Sequence, residues 1–130
     1  MRILTAKQIK AVEENAFKTD STEAGLMLNA GTACFDKIRK IFGESLANSR
    51  VAVFCGNGKN AGDGFVIADL LNSINVNADI IICDKEPTID EPKMYFDKAI
   101  ANGVKAIGFT DIGENSYDII VDCIFGIGFH

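Results

Sequence analysis

The sequence holds little of what would take it out of the ordinary globular class. Two of its 130 residues are proline and no segment repeats another, which excludes collagen-like and low-complexity structure. Histidine occurs once, as the last residue, and there is no CxxC pair, so the sequence disfavours a tetrahedral zinc site. No apolar run approaches the ~20 residues of a membrane helix. The opening MRILTAKQIKAVEEN reaches charged residues too early for a secretory segment, so a cytoplasmic protein is expected. Basic residues are outnumbered, 13 Lys and Arg against 18 Asp and Glu, and the net charge of -5 disfavours a generic binder of nucleic-acid backbone. Four cysteines are present, but Cys34, Cys55, Cys83 and Cys123 are widely spaced among apolar neighbours and read as reduced core thiols rather than a disulfide framework.

What remains is 48% hydrophobic and 24% charged, enough for one core and one domain over residues 1–130. Thr5 and Gln8 form a capping box ahead of Ile9, Val12, Ala16 and Phe17, which predicts a helix over 6–18. Leu26, Ala30, Ala33, Ile38, Ile41 and Phe42 recur near 3.6 residues and predict a second over 23–44, ended by Gly43. From Arg50 the pattern changes to strand (50–55), glycine loop (56–64), helix (63–74), strand (78–83), helix (90–102), short strand (105–108) and strand (117–123). By the right-handed crossover rule this alternation gives a doubly wound, mainly parallel α/β sheet with helices on both faces, a three-layer αβα sandwich preceded by two N-terminal helices. The final strand runs into a glycine-rich turn that normally continues into another helix, so the domain is read as incomplete at its C-terminal end.

In such sheets ligands sit at the carboxyl ends of the strands, where helix N-termini point their N–H groups outward. Two glycine loops lie there, at 56–64 and 126–128, and they form the walls of one cleft if their strands are neighbours. A GxxxxGK[ST] phosphate loop is ruled out, because Lys59 precedes Gly62 and Asp63 follows it. The GxGxxA dinucleotide pattern is met by Gly56, Gly58 and Ala61, with Asp84 near the offset of a ribose-binding acid. The remainder, Asn60-Ala61-Gly62-Asp63-Gly64, adds an amide and a carboxylate that a pyrophosphate turn does not need; Asp63 either caps the following helix or meets a ligand. The acids Asp84, Glu86, Asp90 and Glu91 read as loop and cap residues, and Phe125 and Phe129 as lids on the core or stacking partners for a ring.

Gly56-Asn57-Gly58-Lys59-Asn60-Ala61-Gly62-Asp63-Gly64 resembles the GxGNNGGDG motif of the YjeF N-terminal domain, the NAD(P)H-hydrate epimerase family. Asp122-Cys123-Ile124-Phe125-Gly126-Ile127-Gly128 is similar to its DxLFGTG segment, and Leu26-Met27-Leu28-Asn29-Ala30-Gly31 to its LMExAG helix. The differences are Lys59 for asparagine, Ala61 for glycine and Leu28 for glutamate. The resemblance implies a Rossmann-like fold and interconversion of the R and S epimers of NADHX and NADPHX, the hydrated forms of NADH and NADPH. It implies one potassium ion held by Asn60 and Asp122, substrate contacts from Lys59, Asn60, Ala61, Gly62 and Asp63, and a second substrate loop of Gly126, Ile127, Gly128, Phe129 and His130. Asp122, or a water beside it, is the expected proton carrier; as a simpler role, it satisfies loop amides at a strand end. A homodimer and an NAD(P)HX dehydratase, fused or separate, are the implied partners. A catalytically silent nucleotide-binding or protein-interaction module of the same fold is the alternative, and an NAD-dependent dehydrogenase half, with Asp84 setting cofactor preference, is a third.

Overall fold

The computed structural model describes residues 2–4, 22–88 and 90–124. In chain order the elements are β1 (Arg2–Leu4), α1 (Glu23–Phe42), β2 (Arg50–Cys55), α2 (Lys59–Ser73), β3 (Asn77–Ile82), α3 (Asp90–Ala101), β4 (Lys105–Gly108) and β5 (Ile119–Cys123). The five strands form one sheet in the order β1-β5-β2-β3-β4, and every pairing is parallel. The expected parallel α/β architecture is therefore present. The expected helix over 6–18 lies outside the described residues, while the chain opens on a short edge strand, β1, that no sequence pattern announces.

Local chemistry accounts for the helix ends. Thr22 Oγ1 accepts the Gly25 N–H at 2.9 Å and caps α1, and Gly43 at φ 54° ends it beyond Arg39 and Lys40, whose charges suit a helix C-terminus. Helix α3 is followed by Gly103 at φ 102°.

The main core lies on one face of the sheet. Val51, Val53 and Cys55 of β2 and Ile119, Val121 and Cys123 of β5 are all buried there. Helix α2 rests directly on them: a side chain added at Gly64 would meet Cys55 Sγ at 2.7 Å and Cys123 Cβ at 3.1 Å. Helices α1 and α3 flank α2, with Phe96 edge-on to Phe65 at 5.1 Å and the Tyr95 hydroxyl donating to the Ala24 carbonyl at 2.6 Å.

Of the two expected helical layers, the described residues supply this one. The other face carries Ala52, Phe54, Asp79 and Ile81, and the β4–β5 connection crosses it. Phe109 packs edge-on against Phe54, and the Tyr117 hydroxyl donates to Asp79 Oδ2 at 2.7 Å. Arg50 stands 3.7 Å from the same carboxylate oxygen and lies over the Tyr117 ring, which partners the buried charge of Asp79. No helix among the described residues is long and apolar enough to cross a membrane.

Candidate functional site

Three strand ends meet at the carboxyl edge of the sheet. Cys55 and Cys123 are register partners, the Gly56 N–H donates to the Cys123 carbonyl at 3.3 Å, and the Cys83 N–H donates to the Cys55 carbonyl at 3.0 Å. The ends of β5, β2 and β3 thus form a ledge in that order, with the first glycine loop over its centre. The condition that the strands of the two glycine loops be neighbours is met.

The loop itself is shorter than the glycine spacing suggests. Residues 56–58 make the turn and α2 begins at Lys59, so Asn60, Ala61, Gly62 and Asp63 belong to the helix and not to a loop ahead of it. Gly58 is the N-cap at φ 134°, a conformation closed to most side chains, and it has no side chain to cap the helix. Asp63 is therefore not the cap. It is buried, and its charge, after burial itself, helps to push the thiols of Cys34, Cys55 and Cys123 upward, Cys34 to about 12.

Glycine at positions 62 and 31 serves helix packing. A Cβ at Gly62 would lie 2.1 Å from Met27 Sδ, and one at Gly31 would lie 2.4 Å from Val66 Cγ1. The Leu26-to-Gly31 segment and the glycine motif are therefore the two sides of one helix–helix contact.

An open cleft of about 680 Å³ lies on the β3 side of the glycine loop, lined by Asn57, Gly58 and Ala61, by Met27 of α1, and by Lys85 and Glu86 after β3. Asn60 is buried next to Ala61 in the first turn of α2. Asp122 stands half-buried on β5 opposite Phe54, and its Oδ1 accepts the Ile124 N–H at 3.0 Å, the simpler of the two roles expected for it. Its charge also contributes, after burial, to raising the Cys83 thiol, which puts it within electrostatic reach of the end of β3. All four cysteines are free; Cys83 is half-buried and the others are buried.

Gly126, Ile127, Gly128, Phe129 and His130, together with Phe125, lie outside the described residues, and so does the side chain of Lys59. Among the described residues no group of three or more His, Cys, Asp or Glu side chains could hold a metal ion. Asn60 and Asp122 offer an amide and a carboxylate oxygen, donors that suit a hard cation such as potassium.

One contact was not foreseen: Asn57 Nδ2 donates to Asp84 Oδ2 at 2.7 Å, tying the glycine loop to the end of β3. Two exposed polar residues 27 positions apart leave no periodic signal, and only the predicted adjacency of the two strands hinted at it.

The sequence profile of the family described as YjeF-related protein N-terminus matches residues 23–130. The NAD(P)H-hydrate epimerase of Roseobacter litoralis is 29% identical over 97% of this chain, and the chain spans 64% of that relative's length. The bifunctional NAD(P)H-hydrate repair enzyme Nnr of Methanocaldococcus jannaschii is 34% identical over 97% of the chain and 27% of the relative. The crystal structure of the yeast protein YNL200c superposes with a TM-score of 0.71 at 22% identity, covering 100% of this chain and 59% of that one, a likeness of fold.

Proposed function

Because the chain belongs to the family of YjeF-related protein N-termini, we propose that it is an NAD(P)H-hydrate epimerase acting on NADHX and NADPHX. The observation that carries the reading is the ledge of β5, β2 and β3, which brings Asp122 to the same edge as the glycine loop. The names of the relatives support the choice of substrate.

The substrate's hydrated ring carbon can lose its configuration in two ways. Its C–O bond breaks and water returns to either face, or its C–N bond opens to a carbonyl and an amine and closes again. Either route moves one proton out and one back. Asp122 is the group that carries it: one oxygen is held by the Ile124 N–H, which orients the carboxyl, and the second exchanges the proton with substrate or with a water. The N-terminus of α2, with a glycine cap and no acid in its first turn, receives the pyrophosphate. Gly126 to His130 and Lys59 to Asp63 complete the proposed substrate contacts.

A potassium ion belongs to the proposal, with Asn60 and Asp122 as its side-chain ligands; when bound it supplies positive charge that steadies the anionic substrate. A cytoplasmic homodimer working with a dehydratase completes it, and relatives named as bifunctional repair enzymes support the last element.

The test is chromatographic. One purified epimer of NADHX is incubated with the protein in potassium buffer, and the appearance of the other is followed beside an enzyme-free control. Faster exchange that falls when sodium replaces potassium supports the assignment. Exchange at the control rate, with ligand still raising the melting temperature by mass action, points instead to a binding module.

A further inference from the structure

We propose that Asn57 is a site of spontaneous covalent modification: it deamidates through a succinimide closed by the Gly58 nitrogen, in preference to Asn102, and the glycine loop then parts from β3. Asparagine followed by glycine is open to this reaction because glycine has no side chain to shield its nitrogen or to restrict its φ. The chain has two such pairs, Asn57-Gly58 in the glycine loop and Asn102-Gly103 after α3.

The fold treats them differently. Asn57 and Gly58 are both exposed, and among the described residues the Gly58 N–H has no hydrogen-bond acceptor. Asn57 is held by a single side-chain bond, from Nδ2 to Asp84 Oδ2 at 2.7 Å. At the other pair the Gly103 N–H donates to the Ile100 carbonyl at 3.0 Å, and the Asn102 N–H donates to the Lys98 and Ala99 carbonyls at 3.0 and 3.2 Å. The Asn102 side chain donates to Asp69 Oδ1, and its main-chain carbonyl accepts from Asn72 Nδ2, both at 2.9 Å. A nitrogen already donating its hydrogen, on a backbone fixed from both sides, does not swing onto its neighbour's side chain.

In the reaction the Gly58 nitrogen loses its proton and bonds to Asn57 Cγ. The Cγ–Nδ2 bond breaks, and the amide nitrogen leaves with that proton as ammonia. Water then opens the ring at either carbonyl, which leaves aspartate or isoaspartate at position 57. The product has lost the donor to Asp84 and carries a charge of the same sign, so the tie between the glycine loop and the end of β3 is broken. It adds that charge to a cleft whose described lining already sets Glu23, Glu86, Asp90 and Glu91 against Lys85.

Folded protein is held at mildly alkaline pH, sampled over days beside a guanidinium-unfolded reference, and mapped by mass spectrometry, with isoaspartate counted by enzymatic carboxyl methylation. At least two hydrogen bonds must open before Asn102 reacts, so in the folded chain Asn57 is expected to convert about tenfold faster or more. In the unfolded chain the two pairs convert at similar rates. Asn57→Asp, which carries the product's charge, is expected to lower the Tm at neutral pH, and adding Asp84→Asn restores it, the coupling that contacting groups show. Equal conversion of the two pairs in the folded chain overturns the proposal, and so does an Asn57 that persists while the unfolded chain converts it fully. A Tm of Asn57→Asp equal to that of wild type overturns the parting of the loop from β3.

Discussion

Replacing Gly31 by alanine tests the packing that holds the cleft in shape. The new Cβ would lie 2.4 Å from Val66 Cγ1, 2.6 Å from Val66 Cβ and 3.2 Å from the Asp63 carbonyl oxygen. Carbon atoms in contact sit ~3.5–4.0 Å apart, and a Val66 Cβ is fixed by its own helix backbone, so α1 and α2 must part by about an ångström. Two effects oppose each other. Alanine is a better helix former than glycine by ~1 kcal/mol, while overpacking a tight contact costs ~1–3 kcal/mol, occasionally more. Because the clash falls on rigid atoms, the cost wins, and a net loss of about 2 kcal/mol is expected. For a chain of this length that is a fall in Tm of about 8 °C.

The assay is urea denaturation followed by far-UV circular dichroism, run on Gly31→Ala, Val66→Gly and the double variant. In the Val66→Gly background the notch has moved to the other helix, so the alanine fills a gap and its effect changes sign. The double variant is then at least as stable as Val66→Gly alone, a coupling that only contacting residues show. If Gly31→Ala is neutral or stabilising in the wild-type background, the close α1–α2 contact is refuted.

Three further outcomes follow from the same structure. Burial, with the neighbouring charge of Asp63, raises the thiols of Cys34, Cys55 and Cys123, and burial also raises that of half-buried Cys83. Native protein at pH 8 should therefore react slowly with a disulfide reagent, Cys83 first, and unfolded protein rapidly at all four cysteines; rapid native labelling of two or more would contradict this. Burial, the hydrogen bond to Asp79 and the charge of Asp79 push the Tyr117 phenol up to about 12, against an opposing pull from Arg50. A phenol that holds its proton more tightly when folded stabilises fully below the unfolded value of about 10, and that contribution is lost as pH rises toward 12. Absorbance titration of Tyr95→Phe, which leaves Tyr117 as the only tyrosine, should show a midpoint near 12 and not near 10. Thr22→Ala removes the cap on α1 and should cost about 1 kcal/mol in urea denaturation; no change would mean the cap hydrogen bond contributes nothing.

The parallel sheet was legible because β2, β3 and β5 are runs of branched apolar residues with glycine or polar residues at their ends. The length of α1 was legible because its stripe and its closing glycine agree. The start of α2 was not, for a physical reason: helix starts are read from side chains that can cap, and Asp63 offered one. The helix instead begins at Lys59 after Gly58, a cap residue with no side chain to signal it, and Gly62 and Gly64 are small because Met27 and the sheet press against them. Strand β1 has three residues, too few for any periodicity. At the site, Asn60 and Asp122 were picked out by resemblance, and the neighbouring ends of β2 and β5 by topology. The burial of Asp63 and the Asn57–Asp84 bond depend on contacts between distant segments, which local patterns do not encode.

The central claim is that the ledge beside Asp122 exchanges epimers, and Asp122→Asn tests it most directly. The variant keeps the shape of the side chain, and its amide oxygen can still accept the Ile124 N–H, but it no longer carries a proton between substrate and water. The rate of NADHX epimer exchange, with the spontaneous rate subtracted, is predicted to fall by about a hundredfold or more with the fold intact by circular dichroism. A folded Asp122→Asn variant that exchanges the epimers as fast as wild type would contradict the account.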